Sequence, residues 1–285
     1  MAKLNRFRVA MGVALVVLAG SASAELRLPN VFSDHMVLQR DLATRVCGGA
    51  SPSETIRVTI AGQTLSTTKM QTLIGSWRKA WNQGNFPFYF VQLANFEAAN
   101  KNPAGGNGWA KIRMAQLKSL QIPHTGRASA IDVGVANDIH PKNKEDVGNR
   151  LALWAIKNDY GRKNLVCSGP LYKGITVEGS KIRVGFDYAE HGIMVGQKMG
   201  HGPAKEIKGG SLKRFAVSGS NNTWFWADAV IDGVTVLVSS TNVLAPVAVR
   251  YAFSMNPEGC NLYNKDGLPA SPFRTDHGKV NIFFT

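Results

Sequence analysis

Asp138 and His140, in the string Asn137-Asp138-Ile139-His140-Pro141, are residue types that move protons. A histidine oriented by a carboxylate can take a proton from a nucleophile and return it to a leaving group. A Ser hydroxyl attacks only when a base within about 3 Å accepts its proton. Ser76, without a Gly-rich turn, and Ser168, near a domain junction, are poorly placed to be that nucleophile, and Asp132 is a second carboxylate just upstream. Residue types alone favour the plainer reading, a capping aspartate and a surface histidine.

The surrounding elements must position this pair. Ala130–Val135 mixes apolar and β-branched residues and predicts a buried strand. Asn137, Asp138 and Pro141 break it into a loop. Asn143 can cap a helix, with Asp146 in its first turn. Val147, Leu151, Trp154 and Ala155 recur at helical spacing, and Gly161 is placed to end that helix. Asp138 and His140 then lie on a strand-to-helix loop, the edge of an open α/β sheet where chemistry is usually placed.

Upstream, Leu73–Trp81 reads as a short helix and Phe86–Leu93 as a buried aromatic strand. Residues 98–108 form an Asn- and Gly-rich loop. In Trp109–Leu120, Ala110, Met114 and Leu117 mark a second helix. This order predicts a parallel βαβ unit with a right-handed crossover. With only two parallel strands, Phe88–Leu93 or Ala130–Val135 is expected to expose an unpaired edge.

Both flanks read as β. Thr55–Ile60 alternates, and Ala61-Gly62-Gln63 is a turn signal. After Asn164, Lys181–Phe186, Thr223–Ile231, Val234–Val238 and Val247–Phe253 predict strands, with Asp232-Gly233 as a hairpin signal. The glycine-rich string from Gly192 to Gly200, between His191 and His201, lacks the features of a phosphate or dinucleotide loop and reads as a flexible hairpin loop. The fold class is α/β plus all-β, with segments 25–69 (β), 70–163 (α/β) and 164–285 (β-rich).

Lys3, Arg6 and Arg8, the apolar run Val9–Ala19 and Ala22-Ser23-Ala24 form a signal peptide over residues 1–24, predicting export to the periplasm or medium. No later stretch is long and apolar enough to span a bilayer, so no membrane partner is expected after cleavage. The net charge of +14 is scattered rather than clustered, which argues against nucleic acid as a partner. Cys47, Cys167 and Cys260 match no zinc spacing. Free buried thiols are the expectation, with a Cys167–Cys260 bridge open as the alternative. No cofactor or metal is expected.

Several strings together resemble the sialate O-acetylesterase family of the SGNH hydrolases. They are LRLPNVFSDHMVLQR (Leu26–Arg40), WRKAWNQGNFPFYFVQLANF (Trp77–Phe96), NDIHPKNKEDVGNRLALWA (Asn137–Ala155), AVRYAF (Ala248–Phe253) and NLYNKDGLPASPFRTD (Asn261–Asp276). The resemblance implies a truncated SGNH-type α/β unit flanked by β-sandwich segments. It implies hydrolysis of O-acetyl esters on sialic acid or a related sugar, by a serine nucleophile with His140 as base. Asp138 is the partner it suggests, and Asp132 the alternative. The family carries G-Q-S-N and G-E-S-N motifs for the nucleophile and oxyanion contacts. Here Ser66 runs almost straight into Leu73 and neither motif occurs. Val46-Cys47-Gly48-Gly49 also departs from the family's V-W-G-W, and the tail after Asp276 leaves its pattern. An internal deletion and impaired hydrolysis follow as expectations, with a non-catalytic glycan-binding remnant or a decayed gene product as alternatives.

Overall fold

A computed structural model describes residues 56–60, 63–67, 69–106 and 108–276. The predicted signal segment, Leu26–Arg40, Cys47 and the tail beyond Asp276 lie outside the described residues. The chain divides into two compact units, residues 1–72 and 73–285. In the first, β1 (Ile56–Ile60) and β2 (Gln63–Thr67) pair antiparallel with Ile60 opposite Gln63, around the expected turn.

α1 (Lys69–Trp81) spans the boundary and buries Ile74 and Arg78. Arg78 donates to the carbonyls of Phe86 and Pro123, both at 2.8 Å, and so ties the entries of two strands together. Those strands, β3 (Phe88–Val91) and β4 (Thr125–Ala128), are parallel, with Phe88 opposite Thr125. α2 (Gly108–Lys118) connects them and buries Ala110, Arg113 and Leu117. The predicted strand–helix–strand order is present.

The second strand is not where hydrophobicity puts it. Ala130–Val135 is a turn, and β4 precedes it. Ala130, Ile131 and Val133 are buried without being extended, so their apolar character reports burial alone. The real strand, Thr-Gly-Arg-Ala, has poor β-propensity. Gly126 is required there because a Cβ would lie 2.7 Å from both the Trp154 and Tyr89 rings. β3 is also half-buried rather than fully buried.

The edges of this two-stranded sheet are closed by side chains at specific points. Gln116 accepts from the Leu93 N–H and donates to the Val91 carbonyl, each at 3.1 Å. One amide thereby occupies the two positions a parallel neighbour would bond. On β4 the Arg127 carbonyl accepts from the Trp154 indole at 2.8 Å. The expected open edge is thus capped at these positions.

α3 (Lys144–Asn158) follows as predicted, with Asn143 Oδ1 accepting from the Asp146 N–H at 3.0 Å. Gly161 adopts the left-handed conformation just beyond it. The buried face centres on Arg150 and Trp154.

Eleven strands complete the second unit: β5 (Leu171–Glu178), β6 (Lys181–Asp187), β7 (Ile193–Gln197), β8 (Lys205–Glu206), β9 (Phe215–Ser218), β10 (Trp224–Trp226), β11 (Asp228–Asp232), β12 (Thr235–Ser239), β13 (Ala248–Tyr251), β14 (Leu262–Asn264) and β15 (Phe273–Arg274). They form sheets ordered β11-β12-β6-β5, β10-β9-β13-β15 and β14-β7-β8. One apolar core joins them, including Val184, Val195, Phe215, Val238, Tyr251 and Phe273. The predicted strand Thr223–Ile231 is two strands, β10 and β11, in different sheets. The β11–β12 hairpin is present with Gly233 at φ 61° and Asp232 opposite Thr235.

The string from Gly192 to Gly200 is not a flexible loop. It contains β7, whose Ile193, Met194 and Val195 are buried. Gly196 belongs to the strand because a Cβ there would lie 2.5 Å from the Tyr263 ring. The flanking histidines pair outward, His191 with Asp266 at 2.9 Å and His201 with Glu145 at 3.2 Å. Cys167 and Cys260 are both free, and burial pushes their thiols up to about 11 and about 12.

Candidate functional site

The loop between β4 and α3 brings Asp138 and His140 together. Asp138 Oδ1 accepts from the His140 backbone N–H at 2.9 Å and lies 3.5 Å from the ring Nδ1. The backbone N–H of His140, aided by the nearby His140 and Lys142 charges, holds the Asp138 carboxyl below its ordinary value. Both groups are open to water, with the His140 side chain 83% exposed. The loop is anchored by the Asn143 cap. Beyond it, Asp146 pairs with Lys198 at 2.5 Å and Asn143 Nδ2 donates to the Gly200 carbonyl at 3.1 Å. The β7–β8 connection therefore braces the helix end that follows His140.

Asp132 is placed elsewhere. Its carboxylate is buried and accepts from Arg150 at 2.6 and 2.8 Å in a bidentate pair. Tyr263 donates to it at 3.0 Å. Burial, reinforced by the Asp132 charge, raises the Tyr263 phenol well above its ordinary range. Sequence reading missed both partners. Arg150 could have been noticed as a lone cation on the apolar face of α3; Tyr263 carried no local signal.

Neither weighed serine meets the histidine. Ser76 is exposed on α1. Ser168 is buried, with its hydroxyl donating to the Gly169 carbonyl at 2.9 Å. Among the described residues, the polar partner of the His140 ring is Asp138. The pair can accept and hold a proton, which is the base half of a nucleophilic hydrolysis.

A polar cleft of about 480 Å³ opens where β3 and β4 end. Asn95, Asp132 and Gly134 come to it from the α/β part, and Lys213, Asn256 and Tyr263 from the β-rich part. Gly134 is needed because a Cβ would lie 2.2 Å from the Asn95 carbonyl oxygen. A larger groove of about 990 Å³ runs beside the end of α3, lined by Leu153, Ile156, Tyr160 and Arg162 among others. Neither an acid nor a histidine lines it. Among the described residues no group of three or more His, Cys, Asp or Glu is placed to hold a metal. No described helix is long and apolar enough to cross a membrane.

No protein-family model matches the chain. Individual proteins do. The sialate O-acetylesterase of Mus musculus is 30% identical over 232 residues, covering 73% of this chain and 40% of the relative. That of Homo sapiens is 29% identical over 228 residues, with 70% and 40% covered. A solved carbohydrate acetylesterase from Xanthomonas citri is 43% identical with a TM-score of 0.63, covering 72% of this chain and 44% of that one. Over the matched stretch the chain is related to the sialate O-acetylesterases. It spans about two fifths of the length of these curated relatives. The family resemblance of the Asn137–Ala155 string falls on the loop and helix that hold Asp138 and His140 together.

Proposed function

We propose that this chain is a sialate O-acetylesterase-like carbohydrate esterase, a carboxylic ester hydrolase by descent, whose own hydrolysis is impaired. The relatives' names supply the substrate class, an O-acetylated sialic acid or related sugar. His140 and Asp138 are the proton-handling pair. The observation that carries the impairment is the surroundings of His140: its ring meets Asp138 and no serine hydroxyl among the described residues. The G-Q-S-N and G-E-S-N strings of the family do not occur in the sequence. Without a placed nucleophile the base has nothing to activate except water. Without preplaced donors the oxyanion loses a contribution of about 10²–10³ in rate per donor.

Hydrolysis of 4-nitrophenyl acetate and of O-acetylated sialic acid by the wild-type chain should match that of the His140→Ala variant. A clear drop on that substitution would show that His140 still catalyses. Labelling of Ser76 or Ser168 by a fluorophosphonate would then reveal the nucleophile. Export belongs to the same reading: protein recovered from the periplasm or medium should begin at Glu25. The polar cleft at the ends of β3 and β4 favours a second reading, retention of glycan binding without hydrolysis.

A further inference from the structure

α1 carries more apolar surface than the fold covers. At about 100° per residue, Ala80, Leu73, Trp77, Trp81 and Ile74 fall on one continuous arc, and Arg78 closes it. Only the Ile74 and Arg78 side of that arc is buried. Leu73, Trp77 and Trp81, at i, i+4 and i+8, are 41%, 50% and 65% exposed. The two indoles are nevertheless held in place. Trp77 packs edge-on against Phe88 with ring centroids 5.8 Å apart, and Trp81 lies tilted against Phe86 at 5.9 Å. Each is backed by a phenyl ring on one side and open to water on the other. Single exposed apolar residues need no explanation, whereas a leucine and two tryptophans in line along one helix form a contiguous patch.

Charge decides what such a stripe can meet. Lys69 and Lys79 are exposed on the same helix, and no acidic residue occurs between Glu54 and Glu97. Among the described residues neither lysine has an ion-pair or hydrogen-bond partner. A second copy docking through the same face would set cations against cations with no carboxylate from this stretch to receive them. An anionic surface is the complement. Tryptophan points the same way, because its amphipathic ring favours the level where lipid headgroups meet acyl chains. A helix of 13 residues is about 20 Å long, too short to cross a bilayer but able to lie flat in its surface. Helices that do so combine an apolar face of Trp and Leu with lysines on the polar face. We propose that α1 is a membrane-surface contact: Leu73, Trp77 and Trp81 enter the headgroup boundary of an anionic phospholipid bilayer, and Lys69 and Lys79 meet its phosphates. The expectation of no membrane partner rested on spanning segments, and a helix lying flat spans nothing. The contact uses neither the Asp138–His140 pair nor the polar cleft, so it stands or falls apart from the esterase reading.

The test is co-sedimentation with lipid vesicles of the mature chain from Glu25, which lacks the apolar signal segment as a competing lipid binder. The chain should pellet with vesicles of equimolar phosphatidylglycerol and phosphatidylcholine, and dissociate as salt is raised. It should stay in solution with phosphatidylcholine alone. Trp81→Ala should weaken binding about tenfold, and Lys69→Gln combined with Lys79→Gln by about tenfold or more. These three positions are exposed, so the urea midpoints of both variants should match the wild type. Phosphatidylglycerol brominated on its acyl chains should quench indole emission of the wild type, a readout that needs no variant. Trp77→Phe combined with Trp81→Phe should remove most of that quenching. No pelleting, equal binding to neutral vesicles, or binding untouched by both sets of substitutions overturns the proposal. A dimer that Trp81→Ala dissociates, in a chain that ignores vesicles, overturns it too and assigns the stripe to a second copy.

Discussion

Asp132 and Asp138 lie on one loop, and burial separates their roles. Asp132 is a closed ion pair with Arg150, and removing one partner of such a pair leaves an uncompensated buried charge. Asp132→Asn should therefore destabilise the protein by about 3–5 kcal/mol in urea denaturation. Asp138→Asn should leave the urea midpoint unchanged, because that carboxylate is open to water. A third aspartate sets the acid limit. Burial would raise the Asp276 carboxyl, but hydrogen bonds from Arg274 and Arg250 outweigh it and hold it far below its ordinary value. A carboxyl depressed in the folded state stabilises fully above its unfolded value of about 3.9, and that contribution fades as pH falls towards the folded value. Urea midpoints should thus fall below roughly pH 4 in the wild type, and Asp276→Asn should flatten that fall. The Asp138–His140 pairing was legible because two residues of spacing on one loop suffice. The Asp132 pairing was not, because Arg150 and Tyr263 come from other elements and only the fold brings them in.

Helices were legible wherever a local device fixes them. Asn143, Asp146 and the spacing of Val147, Leu151 and Trp154 specify α3 with no help from distant residues. Strands were less so, since their identity depends on neighbours. β4 is a strand because Gly126 lets the Trp154 and Tyr89 rings approach, not because its residues favour extension. β7 hid behind its glycines for the same reason, Gly196 making room for Tyr263. The edge of β3 adds a side chain to the argument. Gln116 supplies both bonds of a missing neighbour at Val91 and Leu93, so Gln116→Ala should reopen that edge. The expected result is faster hydrogen exchange at the Leu93 amide, a loss of about 1 kcal/mol, and more concentration-dependent light scattering. Unchanged exchange at Leu93 would show that the cap does not hold in solution.

At the scale of the molecule, the α/β part and the β-rich part of residues 73–285 share their polar interior. Arg113 is the clearest case. It is 0% exposed, and its guanidinium donates to the carbonyls of Leu93 and Ala94 on one side and of Ser254 and Met255 on the other, at 2.5–2.9 Å. Burial pulls its pKa down to about 10, a sign that carbonyls rather than a carboxylate hold the charge. Asn256 with Glu97, Arg214 with Asn100 and Tyr263 with Asp132 cross the same boundary at 2.6, 2.7 and 3.0 Å. Neither part can open without stranding buried groups of the other, and each stranded group costs about 1–3 kcal/mol. Residues 73–285 should accordingly melt in one transition, with calorimetric and van't Hoff enthalpies equal for that unit. Arg113→Met removes the charge and leaves four carbonyls unpaired, so it should cost about 3–5 kcal/mol. Its effect should reach both parts equally, lowering the β-rich near-UV signal and the α3 helical signal at the same temperature. Two transitions in the wild type, or an Arg113→Met variant that loosens only the α/β part, would show that the halves are coupled weakly.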